Sequence, residues 1–167
     1  IRELPNIQIR GARGLDWENC YPQPEFDVDS VLFDLNYFKY CFLKPTDLDF
    51  HELKLEANFR LFAKDLTSEP MDCFLYRDFQ ARNIMLDFVL FRTLQVLGAY
   101  GFRGYFERKK HFIDSIPPAI QNLRDLLKMG DKVFPYPYMM DMLRRLTELS
   151  QFKVIESVAL SRADGYK

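Results

Sequence analysis

Between positions 30 and 66 the apolar residues recur at helical spacing. In the run V-L-F-D-L-N-Y-F-K-Y-C-F-L (31–43), Leu32, Leu35, Phe38 and Phe42 form one stripe, which Phe33, Tyr37, Tyr40 and Cys41 widen. This predicts a helix from near Ser30, capped by Asp29 or Ser30, and ended by Pro45. A helix so apolar around its girth is expected to be largely buried. A second helix is expected over 50–66, with Leu53, Leu55, Phe59, Leu61 and Phe62 apolar. Glu52, Lys54, Glu56, Arg60 and Lys64 mark its wet side, and Pro70 bars continuation.

The texture then changes. Cys73-Phe74-Leu75-Tyr76 is too short for a helix and rich in aromatics, which predicts a buried strand. A polar stretch from Arg77 to Asn83 follows, then a second short apolar run, Ile84-Met85-Leu86. Strand, polar loop, strand is the expectation.

Helical periodicity returns over 88–112, with Gly98, Gly101 and Gly104 three apart. Each glycine costs about 1 kcal/mol relative to alanine in a helix, so close packing on one face, or a break in the helix, is expected there. The series G-A-Y-G-F-R-G is not the G-x-G-x-x-G of a phosphate cradle. Pro117 and Pro118 are expected to open the next helix, with Gly130 as its C-cap. Pro135 and Pro137 precede another, over 138–152. Residues 1–29 read as extended and loop-like, and 155–167 show no periodicity. The fold class expected is mainly α with a small β element (α+β). Residues 1–154 form one unit and 155–167 an unassigned tail.

The chain has 167 residues, 48% of them hydrophobic, with 16 Phe and 9 Tyr, so it can fill a real core. A net charge of −1 carries no signature of nucleic-acid binding. The basic cluster Arg108, Lys109, Lys110 and His111 reads as a solvated helix end. Cys20, Cys41 and Cys73 form no C-x-x-C pair, which points to reduced, mostly buried thiols and a cytoplasmic setting. No run approaches the ~18 apolar residues of a membrane span. His51 and His111 have no partners at metal-ligand spacing, and no G-x-S-x-G elbow exists. Trp17, beside Asp16 and Glu18, could stack on a sugar but reads first as a packing residue, and Tyr136, Tyr138, Met139 and Met140 read as core or lobe-interface residues.

One segment carries candidate chemistry. In F-L-Y-R-D-F-Q-A-R-N-I-M-L (74–86), four residues separate Asp78 from Asn83, an arginine precedes the aspartate, and apolar runs bracket both ends. Phosphoryl transfer depends on positioning and charge stabilisation. A carboxylate at the centre of a rigid loop can accept the acceptor hydroxyl's proton, and an amide oxygen suits Mg²⁺. The alternative is that Asp78 and Asn83 satisfy loop backbone groups, as these residues commonly do.

The segment resembles the catalytic loop [H/Y]-x-D-x-x-x-x-N of the aminoglycoside-phosphotransferase/choline-kinase-like superfamily. Together with D-L-N-Y-F-K-Y (34–40) and L-G-A-Y-G-F-R-G (97–104), it looks like bacterial N-acetylmuramate/N-acetylglucosamine kinase-like phosphotransferases. The likeness covers about residues 1–130. It implies the helical C-terminal lobe of a protein-kinase-like fold, with ATP as phosphoryl donor, Mg²⁺ as cofactor and a sugar-like small molecule as acceptor. Charge and hydropathy, for their part, lead to the expectation of no nucleic-acid and no membrane partner. By the same likeness Asp78 is the catalytic base and Asn83 a Mg²⁺ ligand, with Arg77, Gln80 and Arg82 near phosphate or substrate. Tyr76 stands where many such loops carry a structural His.

The pattern also breaks. No Asp follows a hairpin after Asn83, no Gly-rich nucleotide loop precedes, and no V-A-I-K strand lysine exists. Asp87, four residues past Asn83, reads as a helix cap. Two explanations are open: a segment missing between 86 and 87 together with a missing front lobe, or a non-catalytic pseudokinase-like binding module.

Overall fold

The computed structural model describes residues 25–68, 86–129 and 134–152, and residues 6, 10, 11, 13–16 and 19 of the opening stretch. Five α-helices stand among them: α1 (Val28–Phe38), α2 (Glu52–Leu66), α3 (Leu86–Gly101), α4 (Lys110–Leu127) and α5 (Pro137–Thr147). No strand occurs among the described residues. The mainly α expectation holds. The expected strand at Cys73–Tyr76 lies outside the described residues, as do Ile84 and Met85. Leu86 is corrected: it opens α3 rather than ending a strand.

The helices close into a ring. α3 packs on α1 and α4, α4 on α5, α5 on α2, and α2 back on α1. Each element contributes to one core, from Val31, Leu35 and Phe38 through Phe59, Phe91 and Leu123 to Met139 and Leu143. No helix among the described residues is long and apolar enough to cross a membrane.

α1 is capped by Asp27, not by Asp29 or Ser30. The Asp27 carboxylate accepts the Ser30 backbone N–H at 2.8 Å, because an N-cap side chain reaches the amide three residues on. The Ser30 hydrogen bonds hold the Asp27 pKa below its ordinary value. Nor is α1 buried all round. Val31, Leu35 and Phe38 face the core, while Phe33 is 72% exposed and Tyr40, just past the helix, 50%. Aromatic content alone widened the sequence stripe beyond the face that has a partner.

Pro45 acts before it ends the helix. It has no N–H for the Cys41 carbonyl, and its ring crowds that carbonyl. The α-ladder therefore gives way to a π-helical turn over Lys39–Leu43, where the Lys44 N–H reaches back to the Lys39 carbonyl. A 3-10 turn, Lys44–Thr46, finishes the element.

Opposite this turn lies the glycine face of α3. A Cβ on Gly98 would stand 3.0 Å from the Phe38 backbone, and one on Gly101 only 2.3 Å from the Cys41 carbonyl oxygen. The expected close approach is thus a backbone-to-backbone contact between α1 and α3. Helical structure continues past Gly101 as a second π-helical turn, Phe102–Phe106, then breaks. Arg108 there takes a positive φ of 55°.

The expected opening of a helix at Pro117 is corrected as well. α4 starts at Lys110, and both prolines sit inside it. The carbonyls they leave without an N–H, those of Ile113 and Asp114, belong to exposed residues, where water can serve them. Ile116, Ala119, Ile120 and Leu123 meanwhile remain in the core. The described C-cap is Lys128, while Gly130 lies outside the described residues. α5 begins at Pro137, the position where a missing N–H costs nothing. Asn58 of α2 accepts the Met139 N–H at 3.0 Å, and Arg124 of α4 donates to the Thr147 carbonyl at 2.8 Å. Neighbouring helices thus satisfy both ends of α5.

Lys39 is a fully buried lysine in an otherwise apolar run. Its Nζ meets Glu56 at 2.5 Å and Glu52 at 3.3 Å and lies over the Tyr40 ring. Burial works against the ammonium, but bonds to Glu56, Tyr40 and Glu52 outweigh it and raise its pKa. A buried ion pair adds little over a well-packed apolar residue, whereas a buried charge stripped of its partners is costly. Lys39→Met is therefore expected to stay within about 1 kcal/mol of the parent in urea unfolding. The double variant Glu52→Ala/Glu56→Ala, which strands the ammonium, should melt several degrees lower. The reverse order would mean that the pair itself holds α1 to α2.

Candidate functional site

The residues that carry the sequence motif, Arg77, Asp78, Gln80, Arg82 and Asn83 with Tyr76, lie outside the described residues. What is described is the frame on either side. α2 ends at Leu66 and α3 begins at Leu86, so residues 69–85 connect two helices whose ends share one junction.

Three polar groups converge there from three elements. The Tyr136 ring, 1% exposed, packs 4.8 Å from Phe62 between centroids. Its hydroxyl donates to Asp65 Oδ2 at 2.8 Å. Asp87, in the first turn of α3, lies within electrostatic reach of both. Its Oδ1 is buried and has no hydrogen-bond partner among the described residues. Burial, then the Asp65 charge, pushes the Asp87 pKa above its ordinary value. Burial, then the bond to Asp65, drives the Tyr136 phenol so far up that it stays protonated throughout the working range. Asp87 is therefore not a helix cap. An N-cap stands before the first turn, and Asp87 stands inside it.

The other two segments that carry the resemblance, 34–40 and 97–104, are partners in the α1–α3 contact. Gly98 meets Phe38, and Tyr37 packs 5.9 Å from Phe102. Gln95 donates to Asp34 and also accepts from Arg92, which ties the two helices by a polar relay. Arg92 lines a cavity of about 290 Å³ beside Phe88, Val89 and Thr93, with Ala119 and Asn122 of α4 opposite.

The residues set aside in the sequence find ordinary places. His51 caps α2, accepting the Lys54 N–H. His111 lies against Phe112. Lys109 pairs with Glu107 at 2.7 Å and Lys110 with Asp114 at 2.7 Å, and residues 108–111 are exposed at the start of α4, the solvated helix end expected. Cys41 is a free, half-buried thiol, while Cys20, Cys73 and Trp17 lie outside the described residues. Tyr136, Met139 and Met140 are core residues, as expected. Among the described residues no three His, Cys, Asp or Glu side chains gather as a metal site.

Asp65 and Tyr136 were not legible as a pair in the sequence, because 71 residues separate them. The one available hint was a tyrosine held between Pro135 and Pro137, a setting suited to a fixed, buried ring. No family model, no curated protein and no solved structure matches this chain.

Proposed function

We propose that this chain is the catalytic-loop portion of a kinase-like phosphotransferase that uses ATP and Mg²⁺ to phosphorylate a hydroxyl of a small molecule, an amino sugar or aminoglycoside-like compound. The observation that carries the reading is the motif R-D-x-x-x-x-N at 77–83 between two apolar runs. In that reading the finer architecture is a kinase-like C-terminal lobe with a small β element around the loop, in a cytoplasmic protein. Asp78 accepts the proton of the attacking hydroxyl. Arg77, Gln80 and Arg82 offer donors to phosphate or sugar oxygens, and arginine does so through a planar fork.

Asn83 is of the right chemistry to hold Mg²⁺ through its amide oxygen. Asp87 does not fit as the second ligand. It lies in the first turn of α3, four residues past Asn83, which leaves no room for the hairpin that such a ligand follows. The donor set described is thus incomplete for the metal, and the step assigned here rests on Asp78.

Titration calorimetry of the intact protein with MgATP is expected to show saturable binding in the ~1 μM–1 mM range usual for enzyme substrates, with ATP turnover that depends on an amino-sugar acceptor. A second reading is favoured by a specific observation: Leu86 and Asp87 are consecutive residues of one helix, which leaves no hairpin for the expected aspartate. It makes the chain a non-catalytic helical binding module. No binding heat and no acceptor-dependent turnover would decide for it.

A further inference from the structure

We propose that the outward face of α1 docks a second copy of this chain, the two helices lying antiparallel about a two-fold axis between Asn36 and Tyr37. The inference does not rest on the phosphotransferase reading.

The face lies opposite the one that packs. Val31, Leu35 and Phe38 hold α1 to the core. On the other side Asp29, Phe33, Asn36 and Tyr40 follow one another at steps of four, three and four, the spacing of a coiled-coil seam. Right-handed helical backbone continues through the π-helical turn, and Lys44 carries the seam one turn further. Asp29, Phe33, Tyr40 and Lys44 are exposed, and Asn36 is half-buried. Tyr40 is nonetheless held in place, with the ammoniums of Lys39 and Lys44 at 4.5 and 4.7 Å from its ring centroid. An aromatic anchor fixed before docking loses little freedom when it docks. Aromatic residues at the centre with charges at the ends match the make-up of an interface, an aromatic core inside a polar rim.

The charges select the partner. The seam is acidic at one end, Asp29, and basic at the other, Lys44. A parallel copy would set Asp29 against Asp29 and Lys44 against Lys44. An antiparallel copy sets Asp29 against Lys44 and Phe33 against Tyr40, each contact occurring twice, and opposes the two helix dipoles favourably. Asn36 then falls beside the axis, where a polar residue in an apolar seam fixes the register. Lys44 also meets Glu52 at 3.2 Å, an exposed pair of the kind worth little, so it can serve both carboxylates. With a net charge of −1 two copies barely repel. One helix face falls short of the ~800 Å² per partner of a standard interface, so the dimer is weak, in the ~10 μM–1 mM range.

The experiment uses the intact chain. Sedimentation across that concentration range is expected to show a reversible dimer. A zero-length carbodiimide applied to a mixture of isotopically light and heavy chains is expected to join Asp29 of one to Lys44 of the other. Within one chain these residues stand roughly 20 Å apart along the helix axis, at ~1.5 Å per residue, so that link forms only between copies. The Lys44–Glu52 pair supplies the internal control. Phe33→Glu, at a position 72% exposed, should weaken the dimer by about tenfold or more and leave the melting temperature of the monomer in place. Asp29→Lys should weaken it too, and Asp29→Lys/Lys44→Glu should restore it, because the reversed pair attracts again. If Asp29→Lys does not fold, Lys44→Glu alone sets two carboxylates against each other and is expected to weaken the dimer in the same way. A monomer at every concentration overturns the proposal, as does a dimer that lacks the Asp29–Lys44 link and is indifferent to Phe33→Glu.

Discussion

Gly101→Ala is expected to lower stability by about 3 kcal/mol or more, the upper range for overpacking, although alanine is the best helix former. In an open helix the same change gains about 1 kcal/mol. Here the new Cβ would stand 2.3 Å from the Cys41 carbonyl oxygen and 2.9 Å from the Phe42 Cα. Those are backbone atoms, so relief requires moving α1 and α3 apart and opening the packing around Phe38, Phe42 and Leu97. Two neighbours calibrate the effect. At Gly98 the clash is milder, 3.0 Å from the Phe38 backbone. At Gly104 the nearest atom is the Ile113 Cγ1 at 3.0 Å, on a side chain 43% exposed that can turn aside. The expected order of loss is therefore Gly101→Ala, then Gly98→Ala, with Gly104→Ala close to neutral. For a chain of this size each kcal/mol moves the melting temperature by about 2–4 °C, so Gly101→Ala should fall by roughly 6–12 °C. A variant that melts with the parent would mean that the α1–α3 approach is not as close as described.

The glycine triad also shows what the sequence made legible. Three glycines at spacing three inside a helical pattern could be read as a close approach without knowing the partner, because a glycine costs helix stability and needs a reason. Helix positions over 50–66 and 138–152 were legible from periodicity: the described α2 falls within the first, and α5, Pro137–Thr147, starts one residue before the second. The start of α4 was not. Two adjacent prolines are a strong breaker signal, and the sequence gives no sign that the freed carbonyls will face water while the next turns stay in the core. Burial of Lys39 and exposure of Phe33 were illegible for a related reason. Composition says how apolar a segment is, but only packing says which side has a partner.

The candidate site divides in the same way. Local spacing revealed the motif around Asp78 and Asn83, since all its information lies within one short segment. The Asp65–Tyr136 junction comes from α2 and the approach to α5, and nothing local marks either residue. Asp87 was visible as an acidic residue at a helix start, where a stabilising role is the rule. That its Oδ1 is buried without a partner among the described residues could emerge only from the packing.

Asp78→Asn in the intact protein is expected to cut phosphoryl transfer by about 10²–10⁴-fold, the range associated with a lost general base. That corresponds to about 3–5 kcal/mol of transition-state stabilisation, since each tenfold is worth about 1.4 kcal/mol. The amide keeps the shape of the carboxylate but cannot take the acceptor's proton. If Asp78 is the base, kcat should fall while the KM for MgATP holds and the melting temperature stays near the parent's. Asn83→Ala should behave differently: its loss weakens the grip on the nucleotide-bound cation, so the deficit should shrink as Mg²⁺ is raised. The pair of variants separates a chemical role from a loop-closing one. Were Asp78 there to satisfy backbone amides, its replacement would lower stability and leave the rate of the surviving folded protein unchanged. Transfer that persists in Asp78→Asn with acceptor dependence intact would remove the catalytic assignment, and with it the reason to place the acceptor hydroxyl at this loop.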